Sequence, residues 1–142
     1  MKDEFYLYLD TLPRTTSQEK GVFVVKGRPI FYEKEEVKKA RRIFTHALKP
    51  HRPQIPSDRP IKLYVQFYFD VKDKKKWKKY KITKPDTDNY LKLFKDCMTD
   101  CGFWLDDAQV VDERCRKTYA EKAVIRVVWQ ELKDTPLEEE PT

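Results

Sequence analysis

Ile61-Lys62-Leu63-Tyr64-Val65-Gln66-Phe67-Tyr68-Phe69 is the stretch that decides the fold. Apolar side chains at the odd positions alternate with lysine, tyrosine and glutamine at the even positions. This period of two residues is typical of a β-strand that turns one face to a core and the other face outward. It is the clearest strand signal in the chain, and the weaker signals are interpreted around it.

The flanking patterns predict the remaining elements. Alternation predicts a strand over residues 4–10, and a loop with Pro13, Thr15, Thr16 and Ser17 follows over residues 11–20. Further strands are expected at 22–25 and 30–32, on either side of a Gly-Pro turn at 26–29. Helices are expected at 33–48 and 87–101, with a proline-rich extended linker at 50–60. A last long strand or hairpin is expected at about 110–132. Gly102 suits a left-handed cap at the end of the second helix.

These elements predict one α+β domain over residues 1–132, with a mixed β-sheet packed by two main helices. Residues 133–142 are polar and contain three consecutive glutamates, so we expect a disordered acidic tail. With 142 residues, one domain is the expected number, and a chain of this length can bury a sizeable core.

The composition favours a basic protein that acts in the cytoplasm. The net charge is +6 and the sequence pI about 9.1, which suggests an anionic partner, nucleic acid being the commonest large one. A merely solubilising surface is the alternative. No apolar run reaches the roughly 20 residues that cross a bilayer, and no secretory leader opens the chain. The odd count of three cysteines is typical of reduced thiols, and their spacing does not favour a zinc site.

Residues 72–84 are the most basic segment, with eight lysines and one aspartate. We expect phosphate contacts from Lys74, Lys75, Lys76, Lys78, Lys79, Lys81 and Lys84. Trp77 and Tyr80 lie among these lysines and could stack on an opened base. The alternative is a solvated loop with Trp77 packed on the core. Basic residues of the first helix, Lys38, Lys39, Arg41 and Arg42, are weaker candidates, because a solvated helix face explains them.

An acidic constellation follows this basic segment. Asp86 and Asp88 lie at the start of the second helix, Lys92 lies one turn further on, and Asp106-Asp107 lie just past the helix end. On a helical wheel Asp88, Lys92, Lys95 and Thr99 share one stripe opposite a broad apolar arc. We expect Asp106 and Asp107 to return toward the helix start along a neighbouring strand. Carboxylates without histidine or thiolate then favour Mg²⁺, with Mn²⁺ as an alternative.

Each part of this constellation also has a structural explanation. Asp86 or Thr87 could cap the helix, and Asp88 could complement its dipole. Asp88 and Lys92 could form a surface pair at i,i+4, and Asp106-Asp107 could be turn residues. Structural roles alone are a less satisfactory explanation when the Asp86–Asp88 pair, Lys92 and the Asp106-Asp107 pair are taken together, since all three are expected near one site.

The two acidic blocks resemble the RusA family of Holliday junction resolvases. Lys84-Pro-Asp-Thr-Asp-Asn-Tyr-Leu-Lys92 matches an Asp-x-Asp-Asn-x-x-Lys block, and Trp104-Leu-Asp-Asp-Ala-Gln-Val110 matches an Asp-Asp-x-Gln block. The resemblance implies that Asp86, Asp88 and Asp107 bind metal and are catalytic, that Asp106 shares the metal, that Lys92 is the catalytic lysine, and that Asn89 supports the site. The basic segment that often begins family members is spread here over Pro13, Arg14, Lys20 and Lys26.

The resemblance further implies a Mg²⁺-dependent homodimer that cuts four-way DNA junctions by paired nicks in recombination and repair, in a bacterial or phage-infected cell. Two sites related by a twofold axis would suit two opposed strands. We expect interface residues among aromatics left over from the sheet, such as Phe103 and Trp104. A looser nuclease for flaps or forks of phage replication, and a non-catalytic basic DNA-binding module, are the alternatives.

Overall fold

The computed structural model describes residues 2–15 and 21–135. It contains β1 (Lys2–Leu9), β2 (Gly21–Val25), β3 (Arg28–Tyr32), α1 (Glu35–Leu48), β4 (Ile61–Asp70), α2 (Thr87–Cys101), β5 (Val110–Ala120) and β6 (Ala123–Glu131). Short 3₁₀ turns lie at Lys49–His51, Lys74–Lys76 and Asp107–Gln109. The α+β prediction is confirmed. Part of the predicted loop, residues 16–20, and most of the predicted acidic tail, residues 136–142, lie outside the described residues.

The main sheet has four strands in the order β1-β6-β4-β5. Strand β4 pairs parallel with β5 on one side and antiparallel with β6 on the other, and β1 pairs antiparallel with β6. As expected, the odd-numbered residues of β4 are fully buried, and the odd-numbered residues of β6 bury the same face of the sheet. This buried face is the helix side, and the even-numbered face of β4 is the open side.

The prediction of a hairpin over residues 110–132 is wrong in its pairing. Strands β5 and β6 are separated by only two residues, Glu121 and Lys122, yet β4 lies between them in the sheet. A two-residue hairpin loop favours glycine, asparagine or aspartate at positive φ, and neither residue here is of that kind. The connection instead crosses the end of β4.

The core is formed by the helix side of the sheet and the apolar faces of α1 and α2. Phe67 packs edge-on against Phe94 and Tyr90, and both of those rings meet Phe44 of α1. The apolar arc predicted for α2 is buried, except that Cys101 is half-buried, and Leu93 is buried with it.

Phe103 and Trp104 are part of this core and not of an exposed surface. Both are at most 1% exposed, because the chain after α2 folds back under Trp129. The expectation that they form a dimer interface is therefore wrong. Gly102, at a φ of 92°, makes the reversal, which confirms the predicted left-handed cap.

The ribbon formed by β2 and β3 is the most exposed part of the described chain. Its tight turn at Lys26-Gly27 has positive φ at both residues, and the two strands form a separate sheet. Seven large apolar side chains on it are 40–70% exposed: Val22, Phe23, Val24, Val25, Ile30, Phe31 and Tyr32. A two-stranded ribbon alone is marginally stable in water, so this surface is suited to contact a partner.

Helix α2 sets the geometry of the candidate site because it is the crossover between two parallel strands. Strands β4 and β5 run in the same direction, so α2 returns in the opposite direction. Its start lies near the end of β5, where Lys117 Nζ donates to the Pro85 carbonyl at 2.6 Å. Its last turns lie near the start of β5, where Lys95 pairs with Glu113 at 2.7 Å. In residues 2–15 and 21–135 no helix has the length and apolarity needed to span a membrane.

Candidate active site

The first half of the acidic constellation is exposed at the start of α2. Asp86 is the N-cap residue by position, but its side chain makes no capping hydrogen bond and instead lies 3.2 Å from Lys84 Nζ. Asp88 is exposed in the first helical turn. The cap explanation for Asp86 is therefore wrong, and both carboxylates keep oxygen atoms that a ligand can reach.

Lys117 is a positioning residue that the sequence analysis missed. It lies in the middle of a β-strand pattern, where nothing marks it as part of a site. Its Nζ donates to the carbonyls of Thr83 and Pro85 at 2.8 and 2.6 Å, which fixes the segment that leads into Asp86. Burial, and then the nearby charge of Lys81, hold the pKa of Lys117 below its usual range.

The second half of the constellation lies at the other end of α2. Asp107 is half-buried, and its Oδ1 accepts a hydrogen bond from Thr99 Oγ1. Thr99 Oγ1 in turn accepts one from the buried Trp104 Nε1 at 2.7 Å. An indole N–H can only donate, so the single hydroxyl proton of Thr99 is available for Asp107. The relay from Trp104 through Thr99 therefore orients the carboxylate of Asp107.

Asp96 is a further acidic residue that the sequence analysis missed. Burial, and then its hydrogen bond to Asp107, raise the pKa of Asp96 to about 6. For Asp107 the effect is the opposite. Burial acts to raise the pKa of Asp107, but the hydrogen bonds that its carboxylate accepts from Asp96 and Thr99 outweigh burial and lower that pKa. Since two close carboxylates resist double ionisation, Asp107 is the ionised partner and Asp96 holds the proton more tightly. The signal that could have identified Asp96 in the sequence is its helical spacing, because it lies four residues, or one turn, after Lys92.

Asp106 and Gln109 build the turn that carries Asp107. Asp106 Oδ1 accepts the backbone N–H of Ala108, and Gln109 Oε1 accepts the N–H groups of Leu105 and Asp106. Gln109 Nε2 donates to the carbonyls of Ser57 and Arg59, both at 2.9 Å. Asp106 and Gln109 thus cap the short 3₁₀ turn at Asp107–Gln109. This supports the alternative explanation in which Asp106 is a turn residue.

The two halves do not converge within one chain. Asp107 contacts Asp96 and Thr99, which lie ten and thirteen positions after Asp86, and at about 1.5 Å per helical residue this places Asp107 about 15–20 Å from Asp86. The expectation that Asp107 returns toward the helix start is therefore wrong, because β5 begins at the C-terminal end of α2. Among the described residues no group of three His, Cys, Asp or Glu side chains could hold a metal ion. The described residues of a single chain therefore do not form a binding site for the magnesium ion that the family resemblance implies.

Lys92 lies between the two halves, on the exposed stripe of α2. No carboxylate of residues 2–15 and 21–135 lies within ion-pair distance of Lys92, so the expected alternative of an Asp88–Lys92 pair is absent there. Lys92 lowers the pKa of Asp96 only as a distant charge. Its ammonium is available to an anionic ligand. Asn89 is half-buried, and in the described chain its side chain makes no hydrogen bond that would support the site.

The lysine segment, residues 72–84, lies along the free edge of β5. The Lys78 N–H donates to the Tyr119 carbonyl and the Lys81 N–H to the Lys117 carbonyl. The predicted phosphate-binding lysines are exposed, except Lys81, which is 8% exposed. Lys81 Nζ donates to Thr83 Oγ1 and lies over the rings of Phe69 and Tyr119. Lys81 is therefore an internal contact and an unsuitable phosphate ligand.

Arg14 is also tied to the fold. It pairs with Asp70 at 3.6 Å and lies over the ring of Phe69. Asp70 further accepts from Thr11 Oγ1 and from the Leu12 N–H, which anchors the segment after β1 to the end of β4.

The chain is similar to known endonucleases over most of its length. The family model described as Endodeoxyribonuclease RusA matches residues 12–128. The crossover junction endodeoxyribonuclease rusA of Lactococcus phage r1t is 35% identical over 129 residues, which cover 89% of this chain and 96% of the phage protein. The uncharacterized protein YqaN of Bacillus subtilis (strain 168) is 34% identical over 93 residues, 58% of this chain and 65% of that protein.

Replacing Thr99 with valine tests the relay to Asp107. Thr99→Val leaves the buried Trp104 indole N–H without an acceptor, so we expect a loss of about 1–3 kcal/mol of unfolding free energy. Urea unfolding measures this loss, and Thr99→Ser, which keeps the hydroxyl, is the matched control and should lose less. Equal stability of Thr99→Val and wild type would contradict the described hydrogen bond.

Proposed function

Because the chain belongs to the RusA family of endodeoxyribonucleases, we propose that it is a homodimeric, Mg²⁺-dependent enzyme that resolves four-way DNA junctions by paired nicks. It acts in DNA recombination and repair, in the cytoplasm of a bacterial or phage-infected cell. The observation that carries this proposal is the exposed pair Asp86 and Asp88, directly after the lysine segment. Asp88 lies one turn from Lys92, which has no ion-pair partner among residues 2–15 and 21–135.

The separation of Asp107 from Asp86 and Asp88 supports a dimeric site. A twofold axis perpendicular to α2 exchanges the two ends of the helix when two copies lie antiparallel. Asp107 of the partner subunit then approaches the start of α2, and the same contact repeats on the other side. Each dimer thereby gains two sites that contain three carboxylates, which a single chain lacks among its described residues.

The ribbon of β2 and β3 supplies an apolar surface for such a dimer. Its seven large apolar side chains are 40–70% exposed and all belong to one two-stranded ribbon, so together they offer an apolar surface to a partner. Tyr32 and Phe31 are among the aromatics that interfaces favour. This surface takes the place of the interface first expected at Phe103 and Trp104.

The chain's own residues divide the chemistry between them. Asp86 and Asp88, with Asp107 of the partner subunit, would hold the ion, since carboxylate oxygens suit magnesium. When bound, the ion polarises a phosphoryl oxygen and lowers the pKa of a bound water. Lys92 binds a phosphate oxygen and offsets its charge as the phosphodiester bond breaks. Lys117 holds the backbone before Asp86, and Thr99 orients Asp107.

Replacing Asp88 with asparagine tests the proposed chemistry. We expect Asp88→Asn to lower cleavage of a synthetic four-way junction by at least about 100-fold, because the amide is a poor ligand for the ion. Junction binding should stay intact or strengthen, since one negative charge is removed. Cleavage is measured with Mg²⁺, with Mn²⁺ and with chelator, and Asp58→Asn, an exposed aspartate on the linker, is the control.

Comparison of substrates separates the alternatives. Equal cleavage of junctions, flaps and linear duplex at equal concentration would favour the looser nuclease. Junction binding by wild type without any nicking in either metal would favour a non-catalytic binding module. A loss of binding by Asp88→Asn as large as its loss of cleavage would contradict the role assigned to this residue.

Neutralising the exposed lysines of the lysine segment tests the DNA-binding role. We expect replacement of Lys75, Lys76, Lys78 and Lys79 by glutamine to weaken junction binding and to reduce the slope of log K against log salt by about 3 to 4. The matched control removes four exposed lysines elsewhere, Lys2, Lys49, Lys62 and Lys133. A salt slope that is unchanged in the test variant, or reduced equally in the control, would exclude a specific role for this segment.

A further inference from the structure

A cavity lies at the edge strand β5, away from the start of α2. It has a volume of ≈ 580 Å³, within the range of pockets that enclose small organic ligands. Trp77 and Tyr80 of the lysine segment line one part of it, and Tyr68, Gln66, Arg116 and Thr118 line another. The last four belong to the open side of the sheet, because Tyr68 pairs with Thr118 and Gln66 with Arg116 between β4 and β5.

The rings around the cavity are arranged to stack on a planar ligand. Trp77 is held by its indole N–H, which donates to the Val71 carbonyl at 2.8 Å, and the Lys74 ammonium lies 6.0 Å from its ring centroid, so the opposite ring face is the one it offers. Tyr80 is 65% exposed, and the guanidinium carbon of Arg116 lies 6.0 Å from its ring centroid. In the described chain Arg116 has no carboxylate within ion-pair distance. Aromatic and guanidinium planes of this kind stack on nucleobases.

Two buried polar residues among the lining residues have hydrogen-bonding capacity that the described chain leaves unused. Thr118 is 8% exposed, and its Oγ1 has no hydrogen-bond partner in the described chain. Gln66 is 7% exposed, and its only described side-chain contact is a long one, 3.4 Å from Tyr64 Oη to Gln66 Oε1. Its amide nitrogen therefore has no described acceptor. A buried hydroxyl without a partner, such as that of Thr118, is costly, and the Gln66 amide nitrogen is free to donate, so a ligand with both donors and acceptors on its edge would be favoured here.

We propose that this cavity binds an unpaired nucleobase of the DNA, an inference that rests on the proposed function for its choice of DNA as the ligand. The base stacks on Trp77 and Tyr80, and its polar edge meets Gln66 and Thr118. Arg116 and Lys78 contact the phosphates beside it. A nucleobase combines two flat faces with a polar edge, which is the combination that this cavity matches.

The lysine segment connects this cavity to the candidate active site. Trp77 and Tyr80 reach the open side of the sheet, whereas Lys84 lies beside Asp86 at the start of α2 on the helix side. Backbone hydrogen bonds to Lys117 and Tyr119 fix the segment along the edge of β5. A DNA strand that follows the segment can thus place one nucleotide at the carboxylates and an unpaired neighbour in the cavity.

Tryptophan fluorescence tests this proposal without cleavage. Of the three tryptophans, Trp104 and Trp129 are 1% exposed, so quenching by added DNA reports on Trp77. We expect a single-stranded thymidine hexamer to quench the emission at 0.2 M salt. An abasic hexamer, which carries the same phosphates without bases, should not quench it. Tyr80→Ala should weaken binding of the thymidine hexamer by about 5- to 100-fold, because a base loses one stacking partner.

Matched controls keep the outcome clear. Tyr8→Ala removes a tyrosine that is 77% exposed on β1, outside the cavity, and should leave the affinity unchanged. Tyr80 is itself exposed, so its replacement does not threaten the fold. Equal quenching by the abasic hexamer, or unchanged affinity of Tyr80→Ala, would overturn the proposal.

A parallel junction-cleavage assay separates the two claims. A wild-type protein that cuts junctions but does not distinguish the two hexamers would refute the base cavity and leave the proposed function standing. Discrimination between the hexamers without junction cleavage would support the cavity and refute the proposed function.

Discussion

The rigid crossover through α2 is the constraint on which the rest of the structure depends. Strands β4 and β5 are parallel neighbours, so the chain between them must return along the sheet, and a helix of 15 residues makes that return. The helix holds Asp86 and Asp88 at one end and, through Thr99, Asp107 at the other. No rotation of a side chain spans about 15–20 Å, so the two halves of the acidic motif do not meet within one chain, and the proposed dimer is what would bring them together.

The edge of β5 has a second consequence for function. The lysine segment pairs with this edge and passes from the open side of the sheet to the start of α2, so its exposed lysines lie between the cavity at β5 and the carboxylates. In the proposed function, positive charge beside exposed carboxylates would draw the DNA backbone in, while the rings of Trp77 and Tyr80 and the buried polar groups of the cavity would bind a base. Lys81 differs from the exposed lysines of the segment. It is buried, and its ammonium donates to Thr83 Oγ1, so it stabilises the lysine segment itself.

Local patterns in the sequence predicted most of the elements and little of their arrangement. The alternation in β4, the apolar arc of α2 and the cap at Gly102 all depend on neighbouring residues, and all are confirmed. The position of β4 between β5 and β6, the distance of Asp107 from Asp88, and the burial of Phe103 and Trp104 depend on long-range pairing. Lys117 was missed for the same reason, since it acts on a segment 32 positions away in the sequence. Thr99 was placed on the exposed stripe of α2, but its hydrogen bond to Asp107 depends on the reversal of the chain after the helix.

The most direct test of the central claim mixes two inactive variants, Asp88→Asn and Asp107→Asn. If each site takes Asp88 from one subunit and Asp107 from the other, a mixed dimer has one intact site. Equal mixing after subunit exchange should then restore single-strand nicking of a four-way junction to about a quarter of the wild-type rate, without paired nicks. A mixture as inactive as either variant alone, under conditions where differently tagged subunits are shown to exchange, would contradict the account.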